Sequence, residues 1–209
     1  MGNESSPMYR WRKVSAAQRT RILEQRQSIQ HPLHSPRHVE SDRTDRYMIT
    51  AACFEHRPHV GHSLERLQDF SNRLCDVLAA NCRTVDAWVV LPNHYHVMID
   101  CPNLMHLFQQ LQQLHGRTAF EWNGQEDCRG RKVWCKAAET EMKSEGHFYA
   151  SINYVLNNPV RHGYCARWTE WPFSSAQEYL DRIGRAKALQ IWKSYPLHDY
   201  GNDWDPPEL

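Results

Sequence analysis

Two strand-like segments meet at a turn in the middle of this chain, and that pair constrains what can be built around it. Val85 to Leu91 is apolar on both faces, the pattern of a strand well inside a fold. Pro92-Asn93 suits a tight turn, after which His94 to Cys101 returns as the next strand. An amphipathic helix is expected on either side. Ser63 to Asn81 carries Leu64, Leu67, Phe70, Leu74, Val77 and Leu78 at helical spacing, with Ser63 as the N-cap. Asn103 can cap a second helix whose stripe is Leu104, Leu107, Phe108, Leu111 and Leu114, and Asn123-Gly124 ends it. Arg46 to Phe54 alternates as a first strand, and Lys132 to Lys136 is a short strand candidate. A third helix begins at Ser144 or Glu145 and is expected to stop at Pro159. The first six elements give the order of a ferredoxin-like split β-α-β, an α+β fold with an antiparallel sheet.

The remaining composition narrows the class of protein. With 209 residues, 41% hydrophobic and 23% charged, the chain has the make-up of a soluble globular protein with one ordinary core. No apolar run is long enough to span a bilayer, and Met1 to Pro7 does not read as a signal peptide. Seven cysteines without a Cys-x-x-Cys pair read as reduced thiols, so a cytoplasmic location is expected. The net charge of +1 is a poor fit to a protein held on duplex DNA by bulk charge. The charges are unevenly spread, however. Arg10, Arg12, Lys13, Arg19, Arg21 and Arg26 make the start basic, Arg129, Arg131, Lys132 and Lys136 form a second cluster, and acidic residues include the tail Asp203, Asp205 and Glu208. Each cluster by itself reads as a solvated face. Trp11 to Gln30 can form a basic helix, and His31 to Arg46 reads as a connector.

Within the central strand, alternation puts His94, His96, Met98 and Asp100 on one side and Tyr95, Val97 and Ile99 on the other. The apolar set packs on the two helices, so the histidines face away from them. Residues two apart on a strand have Cα atoms roughly 6.5–7 Å apart, close enough for two imidazoles to converge on one metal. The chain has 13 histidines, so chance occurrence of His-x-His is the competing reading. His106 and His115 are taken as structural or surface residues.

In the third helix, about 100° per residue clusters Phe148, Ile152, Val155 and Leu156 on a core face, while Tyr154 and Asn158 project away from it, one turn apart. An ordinary surface tyrosine near a helix end is one reading. The other is chemical. A tyrosine hydroxyl has a pKa near 10 and is a weak nucleophile unless a divalent cation favours the phenolate and neutralises a phosphate under attack. His94, His96 and the amide oxygen of Asn158 make a mixed N/O set suited to Mg²⁺ or Mn²⁺.

Leu91-Pro92-Asn93-His94-Tyr95-His96-Val97-Met98-Ile99 resembles the HUH motif of single-tyrosine transposases, where U is a bulky hydrophobic residue. Tyr154-Val155-Leu156-Asn157-Asn158-Pro159-Val160-Arg161-His162-Gly163 resembles the tyrosine-helix signature of their REP-associated branch. Trp171-Pro172-Phe173-Ser174-Ser175 resembles its downstream Trp-Pro-x-Ser-Ser element. Asn123-Gly124 and Gly130 to Trp134 also fit that branch. The resemblance runs from about Tyr47 to Leu180. It implies a ferredoxin-like HUH domain with a tyrosine-bearing helix near the sheet face opposite the other helices. It implies attack by Tyr154 on single-stranded DNA, a 5′-phosphotyrosine link and a free 3′-hydroxyl, at hairpins from repetitive extragenic palindromes. By position, His94 and His96 become metal ligands, Tyr154 the nucleophile, and Asn158 occupies the tyrosine-plus-four ligand position.

On this reading residues 1–45 are a basic N-terminal extension, 46–165 the nuclease/transposase domain and 166–209 a C-terminal extension. Arg161, Arg131 and Lys132 are candidate DNA backbone contacts, and the basic extension with Arg12 and Lys13 could grip the hairpin foot. Trp122 or Trp134 can stack on a base or be buried. The expected partner is single-stranded or hairpin DNA, with no membrane, for a monomer or homodimer associated with a prokaryotic nucleoid. Three alternatives stand. They are a hairpin-binding protein that no longer cuts, a metal hydrolase using the histidines with Asp100 or a distant carboxylate, and a zinc module built on Cys128, Cys135 and His147.

Overall fold

Each of the three long helices starts at the capping residue expected for it. In the computed structural model, which describes residues 45–198 and Tyr200, Ser63 Oγ accepts from Arg66 N at 3.2 Å, Asn103 Oδ1 from His106 N at 2.9 Å, and Ser144 Oγ from His147 N at 3.1 Å. The elements run β1 (Arg46–Ala52), α1 (Leu64–Asn81), β2 (Thr84–Val90), β3 (His94–Asp100), α2 (Leu104–Gln125), β4 (Ala138–Glu141), α3 (Glu145–Arg161), α4 (Ala176–Ile183) and α5 (Arg185–Ser194). The described residues belong to one unit, residues 39–209. The expected helix at Trp11 to Gln30, nearly all of the connector, Arg12, Lys13 and the acidic tail lie outside the described residues.

The four strands form an antiparallel sheet in the order β2-β3-β1-β4, the ferredoxin-like arrangement read from the order of elements. One face packs on α1 and α2: Ile49, Ala51, Tyr95, Val97 and Ile99 meet Phe70, Leu74, Leu107 and Leu111 in one buried cluster. Truncating a side chain as central as Phe70 costs about 3–5 kcal/mol. The other face carries Met48, Ala87, Val89, Leu91 and Met98, and α3 lies across it with Ile152, Val155 and Leu156.

Four expectations are corrected by the structure. β2 lies at the edge of the sheet rather than inside it. Its apolar outer flank is sealed by the segment Trp171 to Ser175: Val90 N donates to Phe173 O at 2.8 Å, Ser175 N to Trp88 O at 2.9 Å, and Trp171 Nε1 to Val90 O at 2.9 Å. This covers the apolar Trp88–Val90 stretch of the edge strand. Lys132 to Lys136 forms only an isolated bridge, Trp134 with Cys53, and the fourth strand comes later at Ala138–Glu141. Its sequence, Ala-Glu-Thr-Glu, has no apolar alternation; backbone pairing with β1, from Thr50↔Ala138 to Tyr47↔Glu141, places it. Pro159 does not stop α3, which continues to Arg161. The last turn is held around the proline, with His162 N donating to Asn158 O at 3.0 Å and Tyr164 N to Pro159 O at 2.9 Å. Finally, Tyr154 and Asn158 do not project away from the core. Both are 0% exposed, because α3 is enclosed by the sheet on one side and by Tyr164, Trp168, Leu197 and Tyr200 on others.

Candidate functional site

The turn that presents His94 is pinned from outside the hairpin. Cys53 N donates to Asn93 O at 2.6 Å and Gly61 N to Pro92 O at 2.9 Å, while Leu91 N to His94 O at 2.8 Å closes the hairpin. A Cβ at Gly61 would stand 2.3 Å from Pro92 Cβ, so only glycine lets the two backbones approach this closely. The same loop holds two consecutive non-glycine residues in the left-handed region, Glu55 at φ 65° and His56 at φ 53°. Each such residue costs about 1–2 kcal/mol, and the strain sits beside the histidine turn.

Two hydrogen bonds then orient the imidazoles. Asn93 Nδ2 donates to His56 O at 3.1 Å, so its Oδ1 faces His94 Nδ1, 2.5 Å away. Nδ1 therefore carries the proton, and the Nε2 lone pair of His94 is turned to the site. His96 Nδ1 pairs with Thr50 Oγ1 at 2.8 Å, Thr50 being its cross-strand neighbour on β1. Asn93 and Thr50 thus fix the orientation of the two rings. The sequence reading missed both. Thr50 becomes visible only with the β1–β3 register, whereas Asn93, adjacent to His94, was visible but was read as a turn residue alone.

α3 brings the remaining groups. The His94 and His96 rings lie 5.0 Å apart between centroids, and His96 meets the Tyr154 ring at 5.2 Å and 70°. One turn further on, Asn158 Oδ1 stands 3.1 Å from His94 Nε2. The contact brings a ring nitrogen and an amide oxygen from two separate elements together on this face of the sheet. Among the described residues no three His, Cys, Asp or Glu side chains are placed to share an ion. The side chains here that could together hold a small cation are His94, His96 and the amide oxygen of Asn158.

The site is enclosed. Tyr200 lies over Tyr154 with ring centroids 5.9 Å apart, and its hydroxyl meets Ser151 Oγ at 2.5 Å. Arg161 has Cζ 5.6 Å above the Tyr154 ring and donates from Nη1 to Tyr200 O at 3.2 Å. His162, not singled out from the sequence, closes the other side of His94 with ring centroids 5.0 Å apart. Burial pushes its imidazole down to about 4, and the charges of His96, Arg161 and His56 act in the same direction.

The other candidates stand apart from this group. Arg131 turns to Glu126 (Nη1–Oε2 2.8 Å) and Asn123 (Nε–Oδ1 2.9 Å), and Glu126 also pairs with Arg66 at 2.6 Å. Those two guanidinium groups hold the Glu126 carboxyl down to about 2. Lys132 Nζ lies 4.4 Å from the Phe54 ring centroid. Trp122 and Trp134 are buried, in contact with the Phe70 ring. Among the described residues no helix is long and apolar enough to cross a membrane.

Fold and site together define a ferredoxin-like α+β domain in which a histidine pair on β3 faces a tyrosine on the helix that covers that side of the sheet. The comparisons agree with that class. No family model matches the chain. The chain is 25% identical over 91 residues to the REP-associated tyrosine transposase of Escherichia coli K12, a match covering 44% of this chain and 53% of that protein; it thus spans about half the length of the curated relative it matches. The solved structure of a REP-associated tyrosine transposase bound to a REP hairpin shares the fold, with a TM-score of 0.54, 17% identity, and coverage of 70% of this chain and 86% of that one. The chain therefore resembles REP-associated tyrosine transposases in motifs, in sequence and in fold.

Proposed function

We propose that this chain is a metal-dependent single-strand DNA nickase and strand transferase that acts at palindromic hairpins through Tyr154. The observation that carries the proposal is convergence: His94, His96, Tyr154 and Asn158 come from two elements separated by more than a helix and a strand, yet meet within hydrogen-bonding or ring-contact distance.

His94, His96 and Asn158 would hold a divalent cation, Mg²⁺ or Mn²⁺. When bound, it supplies neutralisation of phosphate charge and favours the tyrosinate. Asn93 keeps the His94 proton on Nδ1, and Thr50 holds the His96 ring, so both donors are in place before binding. Tyr154 Oη loses its proton to water and attacks the phosphorus. The P–O3′ bond breaks, the 3′ oxygen takes a proton from water, and the 5′ phosphate remains esterified to Tyr154. A 3′-hydroxyl attacking that ester reverses the step and joins strands. Arg161, beside the Tyr154 ring, is placed to meet a backbone phosphate.

The test is cleavage of labelled single-stranded palindromic DNA with Mg²⁺ or Mn²⁺, comparing wild type with Tyr154→Phe. The expected result is a metal-dependent nick and a covalent protein–DNA adduct, both lost in the variant. Tight hairpin binding without any adduct would support a DNA-binding protein that does not cut, and neither binding nor cleavage would sink the nickase reading.

A further inference from the structure

His162 is a half-buried group for which the mechanism above has no task. It stands at the C-cap of α3, immediately after Arg161. Its ring packs against His94 at 5.0 Å between centroids and 63° between planes. Both of its ring nitrogens are shut off from solvent, and neither has a hydrogen-bond partner among the described residues. An imidazole in any protonation state has at least one N–H to place, and leaving a buried polar group unsatisfied costs about 1–3 kcal/mol. The neighbouring imidazoles behave differently: His94 is engaged by Asn93 and Asn158, and His96 by Thr50.

Two kinds of partner fit an imidazole beside a metal site, an ion or an oxygen of the bound substrate. The geometry decides between them. No three His, Cys, Asp or Glu side chains among the described residues are placed to share an ion, so the His162 nitrogens do not converge with those of His94 and His96. His162 packs on His94 from outside that pair and follows Arg161 in the chain. An N–H beside the pair but not part of it suits an oxygen of a substrate held there.

We propose that His162 is a substrate contact of this site, donating a ring N–H to a non-bridging oxygen of the DNA phosphate under attack rather than binding the metal. The proposal rests on the nickase reading. It assigns a position outside the His94, His96, Tyr154 and Asn158 set a direct part in holding the substrate, and it explains the two unpartnered nitrogens as a site awaiting an acceptor.

The test uses the full chain carrying Tyr154→Phe, so that substrate binds without reacting. Mn²⁺ affinity is measured without DNA by the electron paramagnetic resonance of free Mn²⁺. Affinity for a labelled single-stranded palindromic oligonucleotide is then measured at saturating Mn²⁺. Adding His162→Ala is expected to leave Mn²⁺ binding within about twofold and to weaken the oligonucleotide on the order of tenfold, the range of one hydrogen bond to a charged group. Adding His162→Gln, which keeps an N–H donor of similar reach, is expected to restore most of that loss; a substitution that merely disturbs folding would not be rescued in this way. A fall in Mn²⁺ affinity in both variants would make His162 a metal ligand and overturn the proposal. Unchanged oligonucleotide affinity in His162→Ala would overturn it as well. If the Tyr154→Phe parent itself binds neither Mn²⁺ nor DNA, the nickase reading fails and the contact with it, a result distinct from loss confined to the His162 variants.

Discussion

The two faces of the sheet each bury a tyrosine beside a histidine, and the contrast between them separates structure from chemistry. On the helix-covered face, Tyr95 Oη pairs with His115 Nε2 at 3.1 Å, and the His115 ring stacks on Trp134 at 4.4 Å and 12°. Trp134 Nε1 in turn donates to Thr118 Oγ1 at 3.1 Å. Burial raises the Tyr95 hydroxyl pKa and holds the His115 imidazole down to about 4, so both stay neutral. On the other face, Tyr154 meets His96 and the guanidinium of Arg161, and His96 in turn meets His94, which touches the His162 ring and the amide oxygen of Asn158. Both tyrosines are fully buried, so burial alone does not tell them apart. The difference lies in what remains to be satisfied. The Tyr95 group forms a closed chain ending on Thr118, whereas the Tyr154 group includes an imidazole, His162, with two unpartnered nitrogens.

The strongest way to break this comparison is to remove each hydroxyl. Tyr154→Phe is expected to reduce adduct formation by at least on the order of 10³-fold with little loss of stability, while Tyr95→Phe leaves cleavage near wild type. Equal loss in both, measured on denaturing gels of labelled DNA, would erase the distinction. Next in size, Trp134→Ala is expected to cost about 3–5 kcal/mol by urea unfolding, because it opens the aromatic cluster around Phe70, while the folded fraction keeps Mn²⁺ binding.

A pH series sharpens the same contrast. The His115 imidazole titrates at about 4 in the folded chain against an ordinary 6.5, so folding favours its neutral form. That contribution is fully present above pH 6.5 and is lost as the pH falls to about 4, with a ceiling of roughly 3 kcal/mol for a shift of this size. Urea unfolding at pH 7.5 and 4.5 is expected to show this loss in wild type and a smaller one in His115→Gln; identical slopes would remove the role of His115. The smallest expected effect is that of Thr50→Val. It deletes the hydroxyl partner of His96 Nδ1 while keeping the shape, and should weaken Mn²⁺ binding about 10–100-fold with stability almost unchanged. Unaltered Mn²⁺ affinity would show that His96 needs no such partner.

Much of this arrangement was legible in the chain before folding. The apolar stripes from Leu64 to Leu78 and from Leu104 to Leu114 gave both helices with their Ser63 and Asn103 caps, because helix periodicity and capping are local. Strand alternation at His94 to Ile99 put the two imidazoles on the face away from those helices, since successive side chains point to opposite faces. Ala138 to Glu141 was not legible, because its place is fixed by backbone pairing with β1 and no side-chain pattern records that. The direction of Tyr154 was misread for a related reason. Periodicity identifies one apolar stripe, but α3 is enclosed on several sides and buries its polar stripe against polar partners.

The sequence by itself determined the order of elements, the face on which His94 and His96 stand, and the spacing of Tyr154 and Asn158 by one helical turn, all consequences of local backbone geometry. Only the tertiary structure decided that these two sets meet, that Asn93 and Thr50 orient the imidazoles, that Trp171 to Ser175 seals β2, and that His162 stands beside His94. Those contacts join residues far apart in the chain or depend on strand register, and packing alone brings them together.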